Sequence, residues 1–330
     1  MSRHANIALF VPHIGCPHRC SFCDQRAITG VRRPPAAADV HAAVQAAMAG
    51  AGYNPANTEI AFFGGSFTAI DPAYMCELLD AAHVHVQTGS VRGIRISTRP
   101  DAIDAGILAL LKAKGVTTVE LGAQSMVDAV LGANGRGHTA AQVIEASKNI
   151  RAAGFLLVLQ MMTGLYTDTD AGAVYTAEQL SACGPDAVRI YPAVTLKNTR
   201  LAALYAAGEY RPPSLEEAVA LCARLLVFFR GRHIPVIRLG LHSIEKDTYV
   251  AGPWHPAFRE LCESRLYLQA ARTQMCKQGS YALYVHPAAV SKMVGQGRAN
   301  IAFLQQIGYN CHVYGDNSLS LFEVKCEERA

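Results

Sequence analysis

Short apolar runs recur along this chain, each followed by a stretch with helical period, and that alternation limits the folds open to it. The strand-like runs are 7–11, 59–63, 93–97, 117–121, 155–161 and 187–191, with 236–239 as a candidate seventh. Helical stretches fall between them at 39–48, 74–82, 102–114, 139–153 and 171–183, and a strong one opened by Ser214 covers 215–229. Ile103, Ile107 and Leu110-Leu111 share one face of the third, with Gly115 as its stop. Thr139 reads as the cap of the fourth, with Val143, Ile144 and Ile150 on its apolar side. Strand and helix in this order imply right-handed βαβ units and a parallel sheet. The strands are nearly all apolar, as expected when helices cover them. A doubly wound sheet is one arrangement. A partly closed barrel suits the chain better, because polar and glycine-rich residues follow strand after strand, where barrels collect their active sites. The expected architecture is α/β, a partial (βα)6-type parallel barrel over residues 1–240 with a small C-terminal α+β appendage over 241–330.

Composition narrows the class. Hydrophobic residues make up 51% of the 330, ample for a large core, and charged residues only 17%, which disfavours long disordered tails. A net charge of +4 permits a nucleic-acid partner without arguing for one. The N-terminal residues lack a charged-then-apolar leader, and no apolar stretch is long enough for a bilayer, so the expectation is a cytoplasmic protein with no membrane partner. Of ten cysteines only Cys16, Cys20 and Cys23 cluster. The scattered remainder reads as small buried apolar residues of a reducing compartment.

Cys16, Cys20 and Cys23 follow the first strand with C-x3-C-x2-C spacing, shaped by Gly15 and Pro17. They bring three thiolates, not four, to one volume. A structural zinc site normally closes with four protein ligands, and His13 or His18 could serve as the fourth. A four-iron cluster on three thiolates instead leaves one iron open to another ligand. Phe62-Phe63-Gly64-Gly65-Ser66-Phe67 follows the second strand, and its glycines let backbone approach a ligand closely. Ser97-Thr98-Arg99-Pro100-Asp101 follows the third, and Glu120-Leu121-Gly122-Ala123-Gln124-Ser125 the fourth. S-adenosylmethionine (SAM) carries a carboxylate, an ammonium, a sulfonium and a ribose, so it needs donors and acceptors converging on one face. Gln124 and Arg136 are reasonable suppliers, whereas Arg99 and Asp101 could simply pair as surface charges do.

These runs, with Arg136-Gly137-His138-Thr139 and Pro185-Asp186-Ala187-Val188-Arg189-Ile190-Tyr191-Pro192, resemble the radical SAM superfamily and within it the Elp3 family. The resemblance covers roughly residues 5–240, in order. It implies a radical SAM enzyme with a 4Fe-4S cluster on Cys16, Cys20 and Cys23. The amino and carboxylate groups of S-adenosyl-L-methionine would occupy the open iron, and reduction would yield a 5′-deoxyadenosyl radical that abstracts hydrogen. By position, Gly64, Gly65, Ser66, Ser97, Gln124, Arg136 and Gln160 are the implied cofactor-binding residues. An electron donor such as flavodoxin or ferredoxin is implied, and RNA, tRNA included, is one substrate class the resemblance leaves open. The Elp3 family spaces its first cysteine farther from the second and carries a C-terminal acetyltransferase domain, for which no acetyl-CoA loop is found after residue 240. A heme-precursor oxidase is a radical SAM alternative, but the arginine-rich runs match the Elp3 family better. An alternative of another class is a cluster-bearing RNA-binding or redox-sensing protein without SAM turnover.

The C-terminal region holds fewer clues. Residues 283–286 read as a strand, 288–306 as helix, glycine turn and helix, and 310–314 with 319–324 as an antiparallel pair around Gly315-Asp316-Asn317. The run 285–301 faintly resembles a KH-type RNA-binding unit, although Arg298 stands where its G-x-x-G turn ends in glycine. A helical packing piece is the plainer reading. Trp254, the only tryptophan, reads as an apolar anchor beside His255, Arg259 and Arg265.

Overall fold

The computed structural model describes residues 4–11, 16, 20–24, 33–241 and 244–329. Two compact units emerge, Met1–Pro213 with Phe228–Pro253, and Ser214–Val227 with Trp254–Ala330. The division falls inside one helix, Leu215–Gly231.

The first unit begins with β1 (Ala5–Val11), α1 (Ala37–Met48), β2 (Thr58–Gly64), α2 (Pro72–Gln87), β3 (Gly93–Thr98) and α3 (Ala105–Ala113). It continues through β4 (Val116–Gln124), α4 (Asp128–Ala133), α5 (Ala140–Ala152), β5 (Leu156–Thr163), α6 (Asp170–Ala182) and β6 (Ala187–Pro192). Then come a short β7 (Thr195–Leu196), α7 (Arg200–Ala206), the dividing helix α8 (Leu215–Gly231), β8 (Val236–Leu239) and a short β9 (Tyr249–Ala251). Strands β1 to β6 and β8 form one seven-stranded sheet in sequence order, parallel at every pairing, and it curves into a half-barrel. The expected α/β partial barrel is therefore present, with 236–239 as its seventh strand.

Alternation along the strands sorts the two faces. Ile60, Phe62, Ile94, Ile96, Val119, Leu121, Leu157, Leu159, Val188 and Ile190 are wholly buried on the helix-covered side. The opposite, concave side carries charge. Arg95 Nη2 lies 2.8 Å from Glu59 and Arg95 Nη1 2.7 Å from Glu120, and Arg189 Nη2 is 2.8 Å from the same Glu120 oxygen. Thr117 and Thr118 hydroxyls also donate to Glu59, at 2.7 and 2.9 Å. Burial opposes the charge on Glu59, yet hydrogen bonds from His4, Thr117 and Arg95 hold its carboxyl well below the usual carboxylate range. These groups persist as ions because each is multiply partnered.

Helix starts follow local chemistry. Thr139 caps α5 in a reciprocal box with Gln142, as its sequence suggests. Two expectations need correcting. Ile144 is 48% exposed while Val143 and Ile150 are fully buried, because the neighbour of an inward residue sits ~100° round the helix. Ile103 precedes α3, since Asp104 captures the Ile107 N–H at 2.8 Å and starts the helix there.

The second unit contains α9 (Phe258–Gln274), β10 (Gly279–Val285), α10 (Val290–Val294), α11 (Ala299–Gln306), β11 (Tyr309–Gly315) and β12 (Val324–Arg329). Its sheet runs β11-β10-β12. The antiparallel pairing expected between 310–314 and 319–324 does not occur. Helices α10 and α11 bring β11 back parallel to β10, and the chain then crosses to the other edge, where β12 pairs antiparallel with β10. Arg259, in the polar group expected near Trp254, pairs with Glu263 at 2.8 Å on α9.

Replacing Arg95 by Leu removes the cation shared by Glu59 and Glu120, leaving Glu120 with Arg189 and Glu59 with Arg92 and two threonine hydroxyls. The expected loss of stability is about 2–4 kcal/mol, measured by chemical unfolding at neutral pH. A loss below 1 kcal/mol would mean that the ion chain is structurally idle.

Candidate functional site

The cysteine loop leaves the C-terminal end of β1, and its described members are tied down by the segment after α4. Ser21 donates its hydroxyl to Asn134 Oδ1 at 2.5 Å and its N–H to the Asn134 carbonyl at 3.0 Å. Asn134 is wholly buried, and its amide nitrogen donates to the carbonyls of Val130 and Tyr166. The Ser21 carbonyl accepts from the Leu201 N–H at 2.7 Å, and the Cys23 N–H closes a turn onto the Cys20 carbonyl at 3.1 Å. Gly15 and Pro17, read as shaping this turn, and His13 and His18, the alternative zinc ligands, lie outside the described residues.

Two guanidinium groups back the thiols. Arg136 donates through Nη1 to Cys20 Sγ at 3.2 Å and through Nη2 to the Gly122 carbonyl at 2.6 Å. Arg99 grips Asp101 with two bonds of 2.9 Å and donates to the Arg136 carbonyl at 2.7 Å. The Arg99–Asp101 pair is thus real, with Arg99 3% exposed and Asp101 at the surface. Burial pushes the Cys23 thiol up to about 12, with the charges of Cys20 and Cys16 adding to the effect. Burial also raises Cys16, followed by the Cys20 charge, while Arg99, Arg136 and the Ser66 N–H pull the other way. Burial and mutual repulsion thus disfavour the thiolate form at Cys16 and Cys23.

The strand ends supply the rest. Gly64 closes β2 at φ +111°, and a side chain there would meet the Val11 carbonyl oxygen at 2.7 Å, so only glycine lets β1 and β2 end this close. The Gly65 N–H donates to that same oxygen at 2.8 Å. Ser66 is fully buried, with Oγ 3.0 Å from Thr98 Oγ1 and accepting the Arg99 N–H at 3.2 Å. Its side chain locks β2 to β3. Ser97 donates to Glu120 at 3.3 Å. Gln124 takes a left-handed φ of +68° at a register shift in β4, which carries its side chain to Gln160 Nε2 at 3.2 Å. A side chain on Gly122 would approach both Gln124 Nε2 (2.9 Å) and Arg136 Nη2 (3.3 Å). Gln124, Gln160 and Arg136 thus gather around Gly122.

These residues fit the implied group on one observation: Arg99 Nη1 and Arg136 Nε are buried and find no acceptor among the described residues, which suits an anionic guest.

Asn134, Ser21, Arg95 and Arg189 were not singled out as site residues from sequence. The only signal for Asn134 was its place two residues before Arg136, in a glycine-bearing run that otherwise reads as a flexible loop.

A parallel half-barrel with a three-cysteine loop at its C-terminal strand edge defines the radical SAM class. The chain belongs to that superfamily: residues 10–180 match the Radical SAM superfamily domain and 185–267 the Radical_SAM C-terminal domain. It is 31% identical over 242 residues to Elongator complex protein 3 of Danio rerio, covering 65% of this chain and 42% of that protein. It is 27% identical over 183 residues to the tRNA uridine(34) acetyltransferase of Methanocaldococcus jannaschii, covering 49% and 34%. The chain therefore spans well under two thirds of these curated relatives. Among solved structures, Methanocaldococcus infernus Elp3 superposes with a TM-score of 0.63 at 21% identity, over 82% of this chain and 64% of that one, which shows a shared fold. The domain is Elp3-like.

Two predictions arise here. Asn134→Ala should lower stability by about 1–3 kcal/mol and speed iron loss from reconstituted protein, measured by iron release to a chelator; Ala at exposed Lys148 should change neither. His138 is 4% exposed with Nε2 3.1 Å from the Ala123 carbonyl, and burial, then the Arg136 charge, lowers it to about 4. It stays neutral when folded, while the unfolded chain protonates near 6.5. Its contribution is therefore unchanged above pH 6.5 and is lost as pH falls toward 4. Between pH 7.5 and 5 that loss is about 2 kcal/mol. Chemical unfolding at both pH values should show a pH dependence smaller by that amount in His138→Gln.

Proposed function

We propose that this chain is a radical SAM enzyme in which Cys16, Cys20 and Cys23 hold a 4Fe-4S cluster and the neighbouring strand ends hold SAM. The observation that carries the reading is the cysteine loop itself, pinned by Asn134 and backed by the Arg136 guanidinium on Cys20 Sγ. When bound, the cluster and SAM supply a 5′-deoxyadenosyl radical for hydrogen abstraction. The chain's own residues bind, orient and neutralise.

Gly64 and Gly65 leave backbone at the edge of β2 open to the amino group of SAM. Gln124 and Gln160 offer amide donors and acceptors beside Gly122, and Ser97 offers a hydroxyl next to Glu120. Ser66 acts mainly through its backbone N–H toward Cys16 and through the hydroxyl that ties β2 to β3. Arg136 neutralises thiolate charge first and meets SAM with its remaining Nε. The charged concave face below takes the substrate. Arg189, 5.0 Å over the Phe63 ring and bonded to Tyr191 at 3.3 Å, suits an anionic, ring-bearing molecule.

The substrate we favour is RNA. Relatives over this segment are named Elongator complex protein 3 and tRNA uridine(34) acetyltransferase. An electron donor of the flavodoxin or ferredoxin kind is needed for turnover. The segment beyond the barrel, 241–330, we read as an α+β extension with KH-like features. No helix among the described residues is long and apolar enough to cross a membrane.

The test is anaerobic reconstitution with iron and sulfide, then dithionite and SAM, with 5′-deoxyadenosine measured by chromatography. Wild type should release it. Cys20→Ala should lose the cluster absorbance and all product, and Arg136→Ala should keep iron but bind SAM more weakly. Fully clustered protein that never cleaves SAM would falsify the reading.

A further inference from the structure

The sheet of the second unit has one packed face and one open face. Tyr281, Leu283 and Val285 of β10, Cys311 and Val313 of β11, and Val324 and Cys326 of β12 join the helices in a common core. The alternate set faces the other way. On that side His312, Tyr314, Lys325, Glu327 and Arg329 are exposed, and Tyr284 is half-buried. Tyr284 and Tyr314 are register partners, with ring centroids 5.5 Å apart and planes 31° apart. The Lys325 ammonium lies 5.7 Å from the Tyr284 ring, and the Arg329 guanidinium 4.9 Å from the Tyr314 ring. Glu327 pairs with Lys325 at 2.7 Å, which leaves the patch positive through Arg329.

Beyond the edge strand β11 lies a groove of about 190 Å³, lined by Val294, Arg298, Ile301, His312 and Tyr314 among others. Arg298 ends the turn between α10 and α11. Gly295, Gly297 and Arg298 all take positive φ there, at +81°, +57° and +64°. The turn is held rather than loose. Asn300, 7% exposed, donates its amide to the carbonyls of Ser264 and Met293, and a side chain on Gly295 would lie 2.8 Å from the Asn300 nitrogen. A non-glycine residue in this conformation is strained, and here it sets a guanidinium at the groove wall.

We propose that this open face and its groove bind single-stranded nucleic acid, with bases stacking on Tyr314 and Tyr284 and phosphates meeting Arg298 and Arg329. Rings paired with cations on a bare sheet face suit a polyanion whose units carry flat π-faces. A protein partner would favour an interface core depleted of charge. A duplex keeps its bases stacked on each other and unavailable to the tyrosines. The link to the barrel's chemistry rests on the RNA reading above; the binding itself does not.

The full chain should be titrated, by fluorescence anisotropy, against a labelled U-rich single strand of about 12 nucleotides, as RNA and as DNA, and against the matching blunt duplex. Single strands should bind about tenfold more tightly than duplex, and an RNA preference would identify the source. Tyr284→Ala with Tyr314→Ala should weaken binding about tenfold, while Phe at both positions preserves it. Arg298→Ala should weaken it several-fold and reduce the slope of log affinity on log salt by ~0.7. Equal or tighter duplex binding, no binding by wild type, or affinity indifferent to the tyrosines overturns the proposal. So does a dimer in sedimentation that the Ala pair dissolves while nucleic-acid affinity is unchanged. Each variant should form 5′-deoxyadenosine as wild type does. If no form cleaves SAM yet the binding pattern holds, the enzyme reading fails and this one stands.

Discussion

A buried chain of alternating charge, Glu59–Arg95–Glu120–Arg189, ties β2, β3, β4 and β6 together across the concave face of the half-barrel. Most parallel sheets bury apolar side chains on both faces. On the concave side of this one the strands are also held by ions, and the two inner members of the chain, Arg95 and Glu120, each bridge two partners. The consequence is a polar lumen beneath the cysteine loop, with its charged groups already fixed in place. A lumen so lined can orient a charged or hydrogen-bonding substrate. One filled with packed aliphatic side chains could not.

The cysteine loop depends on the segment after α4. Asn134 accepts from Ser21 and donates to two carbonyls, and Arg136 reaches Cys20 from two residues further on. Fixing the loop from a separate element places its sulfurs relative to the sheet, so that the Gly64–Gly65 edge and the Gln124–Gln160 pair lie on the same rim. The left-handed Gln124 belongs to this device. Its unusual φ swings an amide that regular pleating would have aimed elsewhere.

Much of this was legible before any coordinates. Runs such as 59–63 and 187–191 are mostly apolar strands ended by glycine or proline, and the order of strands and helices implies a parallel sheet with polar residues following its strands; the single charge inside each, Glu59 and Arg189, gave no sign of its partner. Cys16, Cys20 and Cys23 point to a metal or cluster site by their spacing. What remained hidden was long-range pairing. Arg95 and Glu120 are 25 residues apart, and Ser21 and Asn134 are 113 apart; no local periodicity links such positions. Arg99 and Asp101 were read as a surface pair because adjacency says nothing of burial. In the second unit the turn at 295–298 was visible, but the strand order was not. A hairpin is the cheapest local explanation of two strands near Gly315-Asp316-Asn317, and the helical crossover that makes β10 and β11 parallel outweighs it only once the core of Tyr281, Leu283, Cys311 and Cys326 has formed.

The two arginines at the thiols differ in a way that bears on their roles. Arg99 is held by a bidentate carboxylate, Asp101, yet its charge still acts on Cys16, ahead of that of Arg136. Arg136 bonds a thiol and a carbonyl directly, and its Nε has no acceptor among the described residues. Burial and mutual repulsion raise Cys16 and Cys23. In the proposed reading a cluster would supply the positive charge these sulfurs need, and Arg136, bonded to Cys20 Sγ through Nη1, would keep Nε as a donor for an anionic group beside it.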